Sequence, residues 1–161
     1  MKDWKLFASL VESKHCEMVL EDEWTKETMS MPILYMQGPK GQKILLLSKH
    51  DPTSQVKPAV NKGVAEGLCD IYIYAAEVWT SPSIDEDSDP EMVKRYNNPT
   101  IKVSEQPDKQ EKLVFLMGTI DGKQASADYH IVRDKNNRIT NLIKNRDFEP
   151  DCSVITGEKI P

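Results

Sequence analysis

Apolar residues recur at helical spacing over residues 2–14, where Trp4, Phe7, Leu10 and Val11 share one side and lysine and glutamate fill the other. The pattern continues through Met18, Val19 and Leu20, with Glu21, Asp22 and Glu23 on the wet side. Trp24, Met29, Met31 and Met36 make the next stretch rich in large, adaptable side chains, which read as core filler. Two apolar runs follow, 33–37 and 43–47, on either side of Gly38-Pro39-Lys40-Gly41. That arrangement predicts a β-hairpin with a loop longer than two residues and so without a predictable register. A second helix is predicted over about 53–66, with Val56, Val60 and Val64 as one stripe and Ala59, Gly63 and Gly67 as a small-residue face beside it. Gly67 suits the left-handed position that ends a helix, and Pro58 belongs to the first turn or to a kink.

The most buried stretch by pattern is 69–79, from Cys69 through Ile71-Tyr72-Ile73-Tyr74 to Glu77 and Trp79. It is β-branched and aromatic at its start, and reads as a strand covered on both faces at the centre of a sheet. Residues 81–110 form an irregular, acidic, proline-punctuated loop, in which Pro90 to Tyr96 can make a short helix capped by Asp89. Loops of this length in a compact domain often act as lids or partner-contacting arms, and this one is expected to be the most mobile internal segment. A second buried run at 113–117 leads to Asp121-Gly122, a two-residue hairpin signal. A return strand over 123–133, a turn at 135–138 and a last strand over about 139–148 complete the pattern. Residues 149–161 read as a polar tail with short pairing at Val154-Ile155.

The order α, β, β, α, β, loop, β, β, β predicts a single α+β domain over 1–161. Its core is one mostly antiparallel sheet of about five to six strands with the helices packed on one face. In element order this resembles the profilin- and PAS-like group of sensor and adaptor domains. The runs Ala76-Glu77-Val78-Trp79 and Pro107-Asp108-Lys109-Gln110-Glu111 also resemble patches of small uncharacterised α+β proteins, a likeness that implies no activity.

A net charge of −5 over 161 residues, with lysines scattered, argues against nucleic acid as a partner, because such domains carry a basic stripe. The longest apolar runs, 44–47 and 113–117, are too short to span a membrane, and no secretory signal pattern follows Lys2 and Lys5. Cys16, Cys69 and Cys152 are odd in number and far apart, which fits reduced thiols in a cytoplasm rather than a disulfide or zinc framework. The Gly-Pro-Lys-Gly turn lacks phosphate-loop spacing. The acidic run 85–89 lacks the glycine and glutamate of a calcium hand. His50 beside Asp51 reads as a loop pair. No cofactor or metal is implied.

If Asp121 and Gly122 are the two loop residues of their hairpin, Leu113, Phe115 and Met117 share a face with His130, Asp128 and Ser126, and His130 falls opposite Ile143. An acid beside a histidine can transfer protons or begin a metal site. Glu77, near a buried strand end, needs a cation, and Arg133 is placed to supply it. Glu77, Asp128 and His130 are thus the catalytic candidates of a small hydrolase or metal-dependent enzyme. They lack a nucleophile elbow, a zinc-protease helix or a dinucleotide fingerprint to complete them. The favoured reading is a non-catalytic binding, adaptor or sensor-like domain. Its contact residues would be Phe115, Met117, His130, Ile143, Trp79 and Arg133, on a face too apolar for open water. Such a face predicts a two-fold homodimer, loosened as His130 protonates.

Overall fold

The computed structural model describes residues 4–21, 32–48, 50–80, 86–107, 109–136 and 138–148. Trp24, Met29, Met31, the stretch 81–85 and the tail from residue 149, with Cys152, Val154 and Ile155, lie outside the described residues. In chain order the elements are α1 (Trp4–Glu21), β1 (Ile33–Gly38), β2 (Gly41–Leu46), α2 (Thr53–Glu66), β3 (Ile71–Thr80), α3 (Pro90–Tyr96), β4 (Gln110–Thr119), β5 (Gln124–Arg133) and β6 (Ile139–Arg146). The six strands form one antiparallel sheet in the order β2-β1-β3-β4-β5-β6. This is the α+β architecture that the pattern predicts.

β3 stands third in that order, and residues 71–76 are buried without a break. Its alternate residues feed two cores. Ile71, Ile73 and Ala75 join Leu113, Phe115, Met117, Ala125 and Ala127 beneath Phe7, Ala8, Val11 and Val19 of α1. Tyr72, Tyr74 and Ala76 join Leu34, Met36 and Leu116 beneath Val56 and Val60 of α2. The two long helices therefore cover opposite faces, not one face as the sequence suggested. A strand buried on both sides needs a cover on both, and one helix is available for each.

α2 fits its expected pattern closely. Gly67 ends it at φ 75°, and its amide bonds back to the last turn. A Cβ on Gly63 would meet Met36 Sδ at 2.9 Å, so the small residue is what lets α2 lie this close to the sheet. Val64, placed in the apolar stripe from sequence, is 44 % exposed, and Gly63 takes the inward position. Within residues 86–107 the expected short helix is present. Asp89 caps α3, accepting from the Glu91 amide at 3.1 Å. Arg95 Nε donates to the buried Gln106 at 2.9 Å, tying α3 to the approach of β4.

Both hairpins close differently from expectation. β1 and β2 meet across a two-residue loop, Pro39-Lys40, with Gly38 opposite Gly41. Between β4 and β5 the loop has three residues, 120–122: the Thr119 amide bonds to the Lys123 carbonyl at 3.0 Å, and Gly122 takes φ 93°. The extra loop residue shifts the β4–β5 register by one. Because side chains alternate, that slip moves all of β5 to the other face relative to β4. Phe115 lies opposite Ala127 and Val114 opposite Asp128.

Candidate binding surface beside α1

The register sorts the expected site residues into three places. Phe115 and Met117 lie beneath α1, at 0 % and 3 % exposure, and cannot form a contact face. Asp128, His130 and Ile143 fall on the α2 face, away from Phe115 and Met117. Asp128 is buried and accepts from Asn145 Nδ2 at 2.7 Å, while His130 faces the exposed Ile143 as predicted. Glu77, Trp79 and Arg133 gather at one end of the α1 face, the side of β3 opposite that on which Asp128 and His130 lie. Glu77, Asp128 and His130 therefore do not converge. Among the described residues, no three His, Cys, Asp or Glu side chains are grouped to hold a metal ion.

The Glu77–Arg133 pair exists, at 3.9 Å, with the Glu77 side chain 1 % exposed. Arg133 gives its guanidinium fork to Glu111, at 2.6 and 3.2 Å, and Glu111 in turn lies opposite Trp79 of β3. Lys109 lies 5.0 Å from the ring centroid of Trp79, which shields part of the indole. This cluster closes one end of the sheet.

Sequence reading missed a second polar group, which lies under α1 itself. Glu12, His15 and Cys16 turn inward with Phe7, Ala8 and Val11, although in sequence they look like the wet side of the helix. Tyr129 of β5 donates its hydroxyl to Glu12, and Lys144 of β6 reaches the same carboxylate at 2.9 Å. Lys144 also pairs with Asp147 at 2.9 Å. His15 Nδ1 and the Tyr35 hydroxyl share a hydrogen bond of 2.7 Å, and the imidazole stands edge-on to Phe115. His15 Nε2 is buried without a hydrogen-bond partner among the described residues.

Burial governs the chemistry of these groups. It pulls the His15 pKa down from 6.5 to about 4, so the ring is neutral at physiological pH. Burial, then the nearby Glu12 charge, pushes the Cys16 thiol up to about 11. A nucleophilic cysteine needs the opposite: a depressed thiol held beside a protonated histidine. The group under α1 is a structural network, and the only sequence signal that pointed to it was a histidine and a glutamate on one side of an apolar helix.

Some of the exposed apolar side chains lie on the other flank of α1, while others, among them Val64, Ile120 and Ile143, are scattered elsewhere. Leu10 is 55 % exposed, and on β2 Ile44 is 62 % and Leu46 is 68 % exposed. Between α1 and the β1–β2 hairpin runs a groove of about 140 Å³, floored by Phe7, Val11, Tyr35 and Ile44, with Leu10, Lys14 and Gln42 on its rim. Among the described residues β2 is a terminal strand of the sheet, and no further strand flanks this groove on its outer side.

No protein-family model matches the chain, and no curated protein or solved structure is significantly similar to it. Function has to be inferred from geometry. No described helix is long and apolar enough to cross a membrane.

Proposed function

We propose that this chain is a non-catalytic binding module, and that its contact surface is the groove between α1 and the β1–β2 hairpin. The observation that carries this reading is a largely apolar groove with Leu10 and Ile44 exposed beside it, while the candidate catalytic groups are divided between two faces of the sheet. Contiguous exposed apolar surface beside a shaped groove is the usual mark of a protein-contact site. The occupant is a peptide segment with an apolar anchor for the pocket over Tyr35 and a carboxylate placed to meet Lys14 on the rim. The free thiols of Cys16 and Cys69 fit a reducing compartment such as the cytoplasm.

Selection from a displayed random-peptide library tests the reading. Wild-type protein is expected to enrich sequences with a large apolar residue next to Asp or Glu. Leu10→Asp is expected to weaken those peptides by at least about tenfold, the scale of losing one apolar anchor. Lys14→Glu should lower the preference for acidic neighbours. Peptides that bind Leu10→Asp as well as wild type would place the contact surface elsewhere.

A further inference from the structure

We infer that the edge of β2, which no strand among the described residues pairs with on its outer side, pairs with the same edge of a second copy across a two-fold axis at Ile44, joining two sheets into one. The pairing is made by the backbone edge of β2, although Gln42 and Ile44 of that edge also line the groove.

The inference begins with which backbone groups point outward. The Leu47 amide donates to the Pro32 carbonyl at 2.8 Å, so residues 32 and 47 form a hydrogen-bonded pair. In an antiparallel ladder such pairs alternate, and the β1–β2 register extends the series through Leu34 with Leu45, Met36 with Lys43, and Gly38 with Gly41. Gln42, Ile44 and Leu46 therefore aim both N–H and C=O away from β1, at the outer edge of the sheet. Their side chains all lie on the α1 face, where Ile44 and Leu46 are the two most exposed of the large apolar residues.

Those three residues are symmetric about Ile44. Antiparallel pairing of two copies sets Ile44 against Ile44 of the second copy and Gln42 against its Leu46, with every outward N–H and C=O engaged. On the opposite face Lys43 falls beside Leu45 of the other copy, so no like charges meet directly. Lys43 is also held back toward its own molecule by Glu66, at 3.3 Å. The edge carries none of the devices that keep sheet edges apart: it has no proline, no bulge and no outward-facing charge on residues 42, 44 or 46.

Because residue 44 meets its own counterpart, one substitution places two like groups together. Sedimentation of the wild type at tens to hundreds of micromolar is expected to show dimer. Ile44→Lys and Ile44→Glu should each weaken association at least about tenfold, and mixing the two should restore it. Ile44→Pro removes one outward N–H without breaking a bond to β1 and should also give monomer. Circular dichroism of each variant confirms that it is folded. A wild type that stays monomeric across this range would overturn the inference. So would dimers that persist in folded Ile44→Lys, or a mixture that associates no better than its components.

Discussion

The flank of α1 that looks toward β6 is polar. Glu12 is held by Tyr129 and Lys144, Lys144 holds Asp147, and Phe148 stands beside Phe115, around a cavity of about 320 Å³ whose lining includes Lys5, Ser9, Glu12, Lys144 and Asp147. On the flank that looks toward β2 the surface is more apolar, with Leu10 and Ile44 exposed at a groove and Leu46 exposed further along β2. The two edges of the sheet repeat the contrast. β6 carries Lys144 and Arg146, and its pairing with β5 is interrupted by two register shifts. β2 pairs with β1 without interruption, and its one charged residue, Lys43, is held toward its own molecule by Glu66. Charges and irregularities are how a sheet edge is kept from pairing, so the difference marks β6 as the blunted edge and β2 as the edge left available.

The largest expected effect comes from the floor that both flanks share. Phe115 is fully buried and meets the rings of His15, Tyr129 and Phe148 at centroid distances of 5.5, 6.0 and 6.3 Å. Phe115→Ala should cost about 3–5 kcal/mol of unfolding free energy in urea, the range for an emptied aromatic core site. A loss below 1 kcal/mol would mean that α1 does not pack there.

Acid should act next, through His15. Its pKa is about 4 in the fold and 6.5 when unfolded, so between those values the unfolded chain binds a proton that the native state refuses. Stability is fully present above about pH 6.5 and falls as the pH drops toward 4, by about 3 kcal/mol in all. His15→Gln should flatten that slope in pH-dependent urea titrations. An unchanged slope in the variant would assign the effect to another group. On the polar flank, Glu12→Ala would leave Tyr129 and Lys144 without their common acceptor, at a cost of about 1–3 kcal/mol. A cost near zero would make the two flanks equivalent.

The fold was largely legible in the chain itself, and the site was not. Helix α2 ending at Gly67, α3 with its Asp89 cap and the strand order within the last meander all follow from local signals that act over a few residues. The placement of His130 failed on a single residue of loop length. Asp121-Gly122 looks like a complete turn, yet Thr119 and Lys123 close a three-residue loop, and period-two alternation carries that slip along the whole of β5. The predicted apolar contact face was likewise read without its cover, because nothing local tells α1 which side of the sheet to take. Glu12 and His15 escaped notice for a related reason. Their partners Tyr129, Lys144 and Tyr35 are distant in sequence, and a buried polar residue is recognisable only once its partners are in place.

Under the proposed function, Leu10 and Ile44 serve contact with another molecule and not the fold. Urea unfolding of the Leu10→Gln/Ile44→Thr variant tests this most directly, at a protein concentration low enough to keep the wild type monomeric. Both side chains are more than half exposed, so the double variant should match the wild-type unfolding free energy within about 1 kcal/mol. A larger loss would show that these residues hold the structure together, and would contradict the reading of this flank as a binding surface.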